Sequence, residues 1–293
     1  MNAAANEVQV TARDGLQLFC RIYPGPDAAA PTVLCLHGLT RNSRDFIQLA
    51  RHLQAHFRVV TPDIRGRGRS AYDPHWQNYN PITYVQDVWA LLDELRIERV
   101  AIVGTSLGAL MAMLLAAQRP DRIVGIALND AGPEIDPRGL ARIAQYAGNA
   151  PELHSWDDAA IYVKTIYGDA LWGLDDAQWL AYARLSYREN AEGRPVPDAD
   201  PNIGAALRSG SAVGDTPGAP QNLWPVYAQL AAMPMLVLRG EHSDILSAAT
   251  VQRMAREKPD LQYVAIPGRG HAPLLDEPES LRAIDRFLAQ LHF

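Results

Sequence analysis

The chain is 293 residues long and 48% hydrophobic, enough for a sizeable core in one large domain or two smaller ones. Its formal net charge is −6, with no block of like charges, which argues against a general binder of nucleic acids or anionic membranes. The densest basic cluster, Arg65, Arg67 and Arg69, reads as a solvated or carboxylate-paired loop. Two cysteines, Cys20 and Cys35, are too few for a disulfide framework and lie in apolar runs as small buried hydrophobes. Met1 to Val10 lacks the basic start and apolar core of a signal peptide, and no apolar run is long enough to span a bilayer. A cytoplasmic, reducing location is expected.

Two β-rich runs, Val8 to Ala12 and Leu16 to Tyr23, flank Asp14-Gly15, a hairpin signal. Thr32 to Leu36 is apolar without alternation, the pattern of a strand buried on both faces. Ser43 to Ala55 then places Phe46, Leu49, Ala50 and Leu53 on one helical face. Phe57 to Thr61 predicts a strand, Thr83 to Leu95 a helix, Arg99 to Val103 a strand and Leu107 to Gln118 an apolar helix. Ile123 to Leu128 is another buried strand. Later come a strand at Met235 to Leu238, a helix at Ala248 to Glu257, a strand at Gln262 to Ile266 and a helix at Leu281 to Leu291. Eight strands alternating with helices predict an α/β fold with a doubly wound, mostly parallel sheet and an antiparallel opening hairpin.

The stretch from Ala131 to Leu223 differs. It is rich in Trp and Tyr, shows helical periodicity around Asp157 to Thr165 and Asp175 to Tyr187, and later carries Pro195, Pro197, Pro201, Pro217 and Pro220. Lying between two core strands, it reads as an inserted helical cap. The expected division is a core of residues 1–130 and 224–293 with a cap of residues 131–223.

Gly104-Thr-Ser106-Leu-Gly108 fits G-x-S-x-G and sits between a buried strand and a helix. A nucleophile elbow needs that setting, because the serine is held in strained backbone and its neighbours must be small. A serine hydroxyl needs a base. Of eight histidines, His271 stands out, because Gly268-Arg-Gly270-His271 follows the last core strand and its glycines let the ring fold back over the strand ends. His37, at the end of an inner strand, is read as a structural hydrogen-bonding residue. Asp244, just beyond the strand at Met235 to Leu238, is the chosen partner for His271, with Glu241 and Asp130 as competitors. The N–H groups of Leu39 and Leu107 are the expected oxyanion donors.

Together with His37-Gly38 and Asp63-Ile-Arg-Gly66-Arg-Gly68-Arg-Ser70, these motifs resemble the α/β-hydrolase superfamily along essentially the whole chain. The resemblance implies acyl-enzyme chemistry, and the order Ser106, Asp244, His271 is the one expected of that fold. Serine at position 106 disfavours the aspartate-nucleophile dehalogenases and epoxide hydrolases. Ala272 stands where the meta-cleavage C–C hydrolases often carry Trp. The expected activity is therefore hydrolysis of a small or medium carboxylic ester. A lactonase or C–C hydrolase on the same triad is one alternative, and a ligand-binding protein without turnover another. Arg41, Trp172, Trp179 and Tyr182 are the candidates for substrate contact. No metal motif or phosphate-cradling loop appears, so no cofactor is expected. The expected partner is a small ester-like molecule, with neither nucleic acid nor membrane, and the expected state a monomer or small homo-oligomer.

Overall fold

The computed structural model describes residues 5–209 and 222–293. Pro217 and Pro220 lie outside the described residues. The strands are β1 (Asn6–Thr11), β2 (Gln17–Tyr23), β3 (Thr32–Leu36), β4 (Arg58–Pro62), β5 (Val100–Thr105), β6 (Ile123–Asn129), β7 (Tyr187–Glu189), β8 (Pro195–Pro197), β9 (Met235–Gly240) and β10 (Gln262–Ile266). Eight of them form one sheet in the order β1-β2-β4-β3-β5-β6-β9-β10, while β7 and β8 pair separately. The β1–β2 and β2–β4 pairs are antiparallel, and from β4 to β10 the sheet is parallel. This is the mostly parallel, eight-stranded arrangement that the alternation predicts.

The helices are α1 (Ile47–Leu53), α2 (Pro81–Glu94), α3 (Leu107–Gln118), α4 (Pro137–Tyr146), α5 (Trp156–Tyr167), α6 (Asp176–Ser186), α7 (Asn202–Arg208), α8 (Trp224–Gln229), α9 (Ala248–Glu257) and α10 (Pro278–Leu288). Every residue of β3 is buried because both sheet faces are covered. Leu34 and Leu36 point into the layer holding α2, α3, α8 and α9, and Val33 and Cys35 into the layer of α1 and α10. Cys20 and Cys35 are free and buried, and burial pushes both thiols up.

The run predicted as one helix over 43–55 is two elements. Ser43–Phe46 forms a tight 3-10 turn, with Asn42 accepting from the Arg44 N–H, and α1 follows. The Ser43 N–H, which has no carbonyl partner at the start of a helical turn, is satisfied by the Asp63 carboxylate. The segment between β6 and β9 is also divided. Ile143 of α4 and Ile203, Ala206 and Leu207 of α7 join the main core, whereas Leu153, Ala159, Val163, Trp179 and Ala183 build a separate cluster around α5 and α6. Ser155–Asp158 and Asp175–Gln178 close capping boxes on those two helices.

From β3 the chain steps to β4 on one side, then crosses through α2 to β5 on the other. The loops leaving the carboxyl ends of β3 and β5 therefore diverge, opening a crevice at the switch point. Ser106 and Leu39 lie there.

Candidate active site

The elbow is shaped by what its glycines leave out. A Cβ on Gly108 would collide with the Leu36 carbonyl, and one on Gly104 with that of Gly108. The helix can thus start hard against β3 and β5. Ser106 between them has φ 54° and ψ −114°, a left-handed conformation costly for a residue with a side chain. Its N–H is anchored to Asn129 O at 2.9 Å, and its hydroxyl stands at the N-terminus of α3.

Ser106 Oγ lies 2.8 Å from His271 Nε2, the pairing expected from the motifs. The partner of the other ring nitrogen differs from the expected one. His271 Nδ1 is 2.8 Å from Asp130 Oδ2, and Asp130 has no solvent exposure. Its carboxylate also accepts from the Gly240 N–H at 2.8 Å and from Ser243 Oγ at 2.7 Å. Asp244 points away. Its two oxygens take Nε and Nη2 of Arg142 on α4 at 2.6 and 2.9 Å. Burial raises the Asp244 pKa, but the Arg142 hydrogen bond and charge outweigh it and hold the carboxyl below its ordinary value. Ser243, one residue earlier, faces inward and receives the N–H groups of Ile245 and Leu246, and this turn swings the Asp244 side chain outward. Ser243 carried no sequence signal beyond its neighbourhood.

Leu39 and Ser106 line the same cavity, of about 340 Å³. His37 is fully buried between Gly38 O, 2.8 Å from Nδ1, and the Ile64 N–H, 3.0 Å from Nε2. Burial pulls its pKa down to about 3, so the ring is neutral. Because Nε2 accepts, Nδ1 carries the proton and donates to Gly38 O. This is the structural role read from its position.

Of the four candidates for substrate contact, Arg41 and Tyr182 line the cavity. Arg41 is held by both Asp45 oxygens at 2.8 and 2.6 Å, by Ser186 Oγ and by the Tyr182 ring face, 4.4 Å away. Arg44 likewise joins Asp198 at 2.6 Å and the carbonyls of Leu185 and Tyr187. Both arginines therefore clamp the α5–α6 region to the β3 loop. Trp172 and Trp179 do not reach the cavity. Trp172 is 51% exposed and stacks on His242, with ring centroids 4.2 Å apart, while Trp179 is buried within the α5–α6 cluster. Tyr146 and Tyr167, which no motif marks as contacts, line the cavity beside Tyr182.

One seam joins this region to the histidine loop. The Gly270 N–H donates to Ala170 O at 2.6 Å, Leu171 and Arg269 form a β-bridge, and Arg269 Nη1 donates to Trp172 O at 2.9 Å. Among the described residues no cluster of His, Cys, Asp and Glu is arranged to hold a metal ion, and no helix is long and apolar enough to cross a membrane.

A strand-turn-helix serine hydrogen-bonded to a loop histidine, at the switch point of such a sheet, defines a hydrolase class. The model of the α/β hydrolase fold matches residues 31–278, and the chain belongs to that family. It is 33% identical over 266 residues to 3-hydroxybutyrate-oligomer hydrolase of Cupriavidus necator, covering 89% of each chain. It is 28% identical to 2-(acetamidomethylene)succinate hydrolase of Mesorhizobium japonicum, over 89% of this chain and 88% of the other. Among solved structures, an α/β hydrolase from Novosphingobium aromaticivorans superposes with a TM-score of 0.91 at 46% identity, covering 98% of this chain and 99% of that one.

Proposed function

We propose that the protein is a serine hydrolase of small or medium carboxylic esters. The unbroken chain Ser106–His271–Asp130 opening onto the cavity carries this reading. His271 Nε2 takes the hydroxyl proton as Ser106 Oγ attacks the ester carbonyl. The N–H groups of Leu39 and Leu107 receive the tetrahedral oxyanion, each worth about 3 kcal/mol to the transition state. His271 then passes the proton to the leaving alcohol, and water, activated by the same ring, releases the acid and regenerates Ser106. Asp130 holds the imidazole in the required tautomer and offsets the charge it acquires.

The relative that acts on 3-hydroxybutyrate oligomers supports an ester substrate, and the 2-(acetamidomethylene)succinate hydrolase keeps a second substrate class in view. The segment of residues 131–223 acts as the cap, with Tyr146, Tyr167 and Tyr182 facing the substrate. Arg41 and Arg44 are each already paired with a carboxylate, which favours an uncharged acyl group near Ser106.

Ser106→Ala is expected to fold as the parent does and to lose nearly all hydrolysis of p-nitrophenyl butyrate, and a fluorophosphonate probe should label Ser106 in the parent alone. Undiminished turnover in the variant would sink the reading. A folded parent that neither labels nor turns over ester, lactone or vinylogous diketone would point to a ligand-binding protein.

A further inference from the structure

Arg67 has no solvent exposure, yet no carboxylate pairs with it among the described residues. Its neighbour Arg65 shows the usual solution, with Asp14, Asp73 and Asp87 all within 2.8 Å. Two of the three Arg67 nitrogens go to backbone instead, and Nη2 has no hydrogen-bond partner among the described residues. Nε donates to Leu39 O at 2.8 Å and Nη1 to Arg65 O at 2.7 Å, while the rings of Tyr84 and Tyr79 lie 4.7 and 5.7 Å from the guanidinium carbon. Its own backbone is pinned by Arg67 N to Ile64 O and by a bridge to Ala199.

The carbonyl it holds is an informative one. Leu39 belongs to two peptide planes, and each is gripped by one side chain. His37 Nδ1 holds Gly38 O, the oxygen of the plane that carries the Leu39 N–H. Arg67 Nε holds the oxygen of the next plane. In a trans peptide the N–H points opposite to the C=O. Fixing both oxygens therefore fixes both backbone torsions of Leu39 and directs its N–H away from His37.

We infer that Arg67 is a positioning residue for the oxyanion hole, holding the Leu39 peptide in register and placing an unneutralised charge beneath the loop where negative charge develops. The inference rests on the ester-hydrolase reading of Ser106. Burying such a cation opposes stability, and preorganised donors in a water-poor site are where that opposition is offset by catalysis.

The test compares the parent with Arg67→Met, which removes donors and charge, and Arg67→Lys, which keeps the charge but not the fork. Circular dichroism establishes folding. Then kcat and KM for p-nitrophenyl butyrate are measured, with the inhibition constant of a trifluoromethyl ketone that adds to Ser106 and presents an oxyanion. Deleting an oxyanion donor typically costs about 10²–10³ in kcat, so a misdirected one should cost about 10- to 100-fold. The ketone should weaken by a similar factor, KM should stay within about threefold, and Lys should be less impaired than Met. Leu92→Ala, a distant core substitution, should lower the melting temperature and leave the kcat of folded protein and the ketone affinity unchanged. Folded Arg67 variants that keep both quantities within about threefold would overturn the inference. So would a loss of kcat without loss of ketone affinity, or failure of both variants to fold. Retained turnover in Ser106→Ala counts against the underlying reading, in a different protein and independently of any Arg67 outcome.

Discussion

Asp130 leaves β6 with φ 58°, and that single left-handed residue turns its carboxylate under the histidine ring. Three hydrogen bonds converge on it, so replacing it should do more than weaken one contact. Asp130→Asn is expected to fold and to lower kcat by about 10³- to 10⁴-fold, because an amide can stabilise neither the tautomer nor the imidazolium. Asp244→Asn is expected to leave kcat within about threefold. Its effect falls on stability, through Arg142. A carboxyl whose folded pKa is depressed stabilises above its unfolded pKa and loses that contribution as pH falls through the folded value. The melting temperature of Asp244→Asn should therefore lie below the parent's at neutral pH, with the gap closing below about pH 4. A kcat collapse in Asp244→Asn would return the orienting role to that residue. Ser106 and His271 were legible because glycines and strand ends mark them. The acid was not. Asp130, Glu241 and Asp244 all follow adjacent strands, and the choice among them turned on one positive φ and on the Ser243 turn, neither of which has a periodicity.

Elements were legible where burial imposes a pattern. The inner strands β3 and β6 follow from continuous apolar runs, the opening pair from β-rich segments around Asp14-Gly15, and α5 and α6 from their periodicity. The run over 43–55 reads as continuous because its apolar face is, whereas its first turn, Ser43–Phe46, is 3-10 and α1 begins only at Ile47. Helices α7 and α8 escaped because they are short, seven and six residues, and α4 because it lies inside a stretch whose composition is dominated by aromatics and prolines. Asp136-Pro137, an N-cap followed by proline at the first helical position, was the available signal for α4. The approach of α3 to β3 leaves no room for a side chain at Gly108. Gly108→Ala forces a methyl group into Leu36 O, and urea unfolding should show a loss of about 3 kcal/mol or more, or no soluble protein. Parent-like stability would mean that the helix can move away from the sheet.

At the scale of the whole molecule, the cavity is lined on one side by the loops after β3 and β10 and the Ser106 elbow, and on the other by α4, α5 and α6. Helices α5 and α6 share a cluster of their own that includes Trp179, which is 3% exposed. Trp179→Ala should cost about 3–5 kcal/mol within that cluster. Its expected functional readout is altered preference among p-nitrophenyl esters of different chain length, with fluorophosphonate labelling of Ser106 retained. Unchanged chain-length preference would mean that α5 and α6 do not select the substrate.

The seam at Ala170–Trp172 has a consequence for how such an enzyme diversifies. Because Gly270, next to His271, donates its N–H to the Ala170 carbonyl, the α5–α6 region and the histidine loop are joined as one mechanical unit. A graft of α5 and α6 from a relative would succeed only if it brought its own matching stretch before the histidine, so recombination should favour exchange of both segments together.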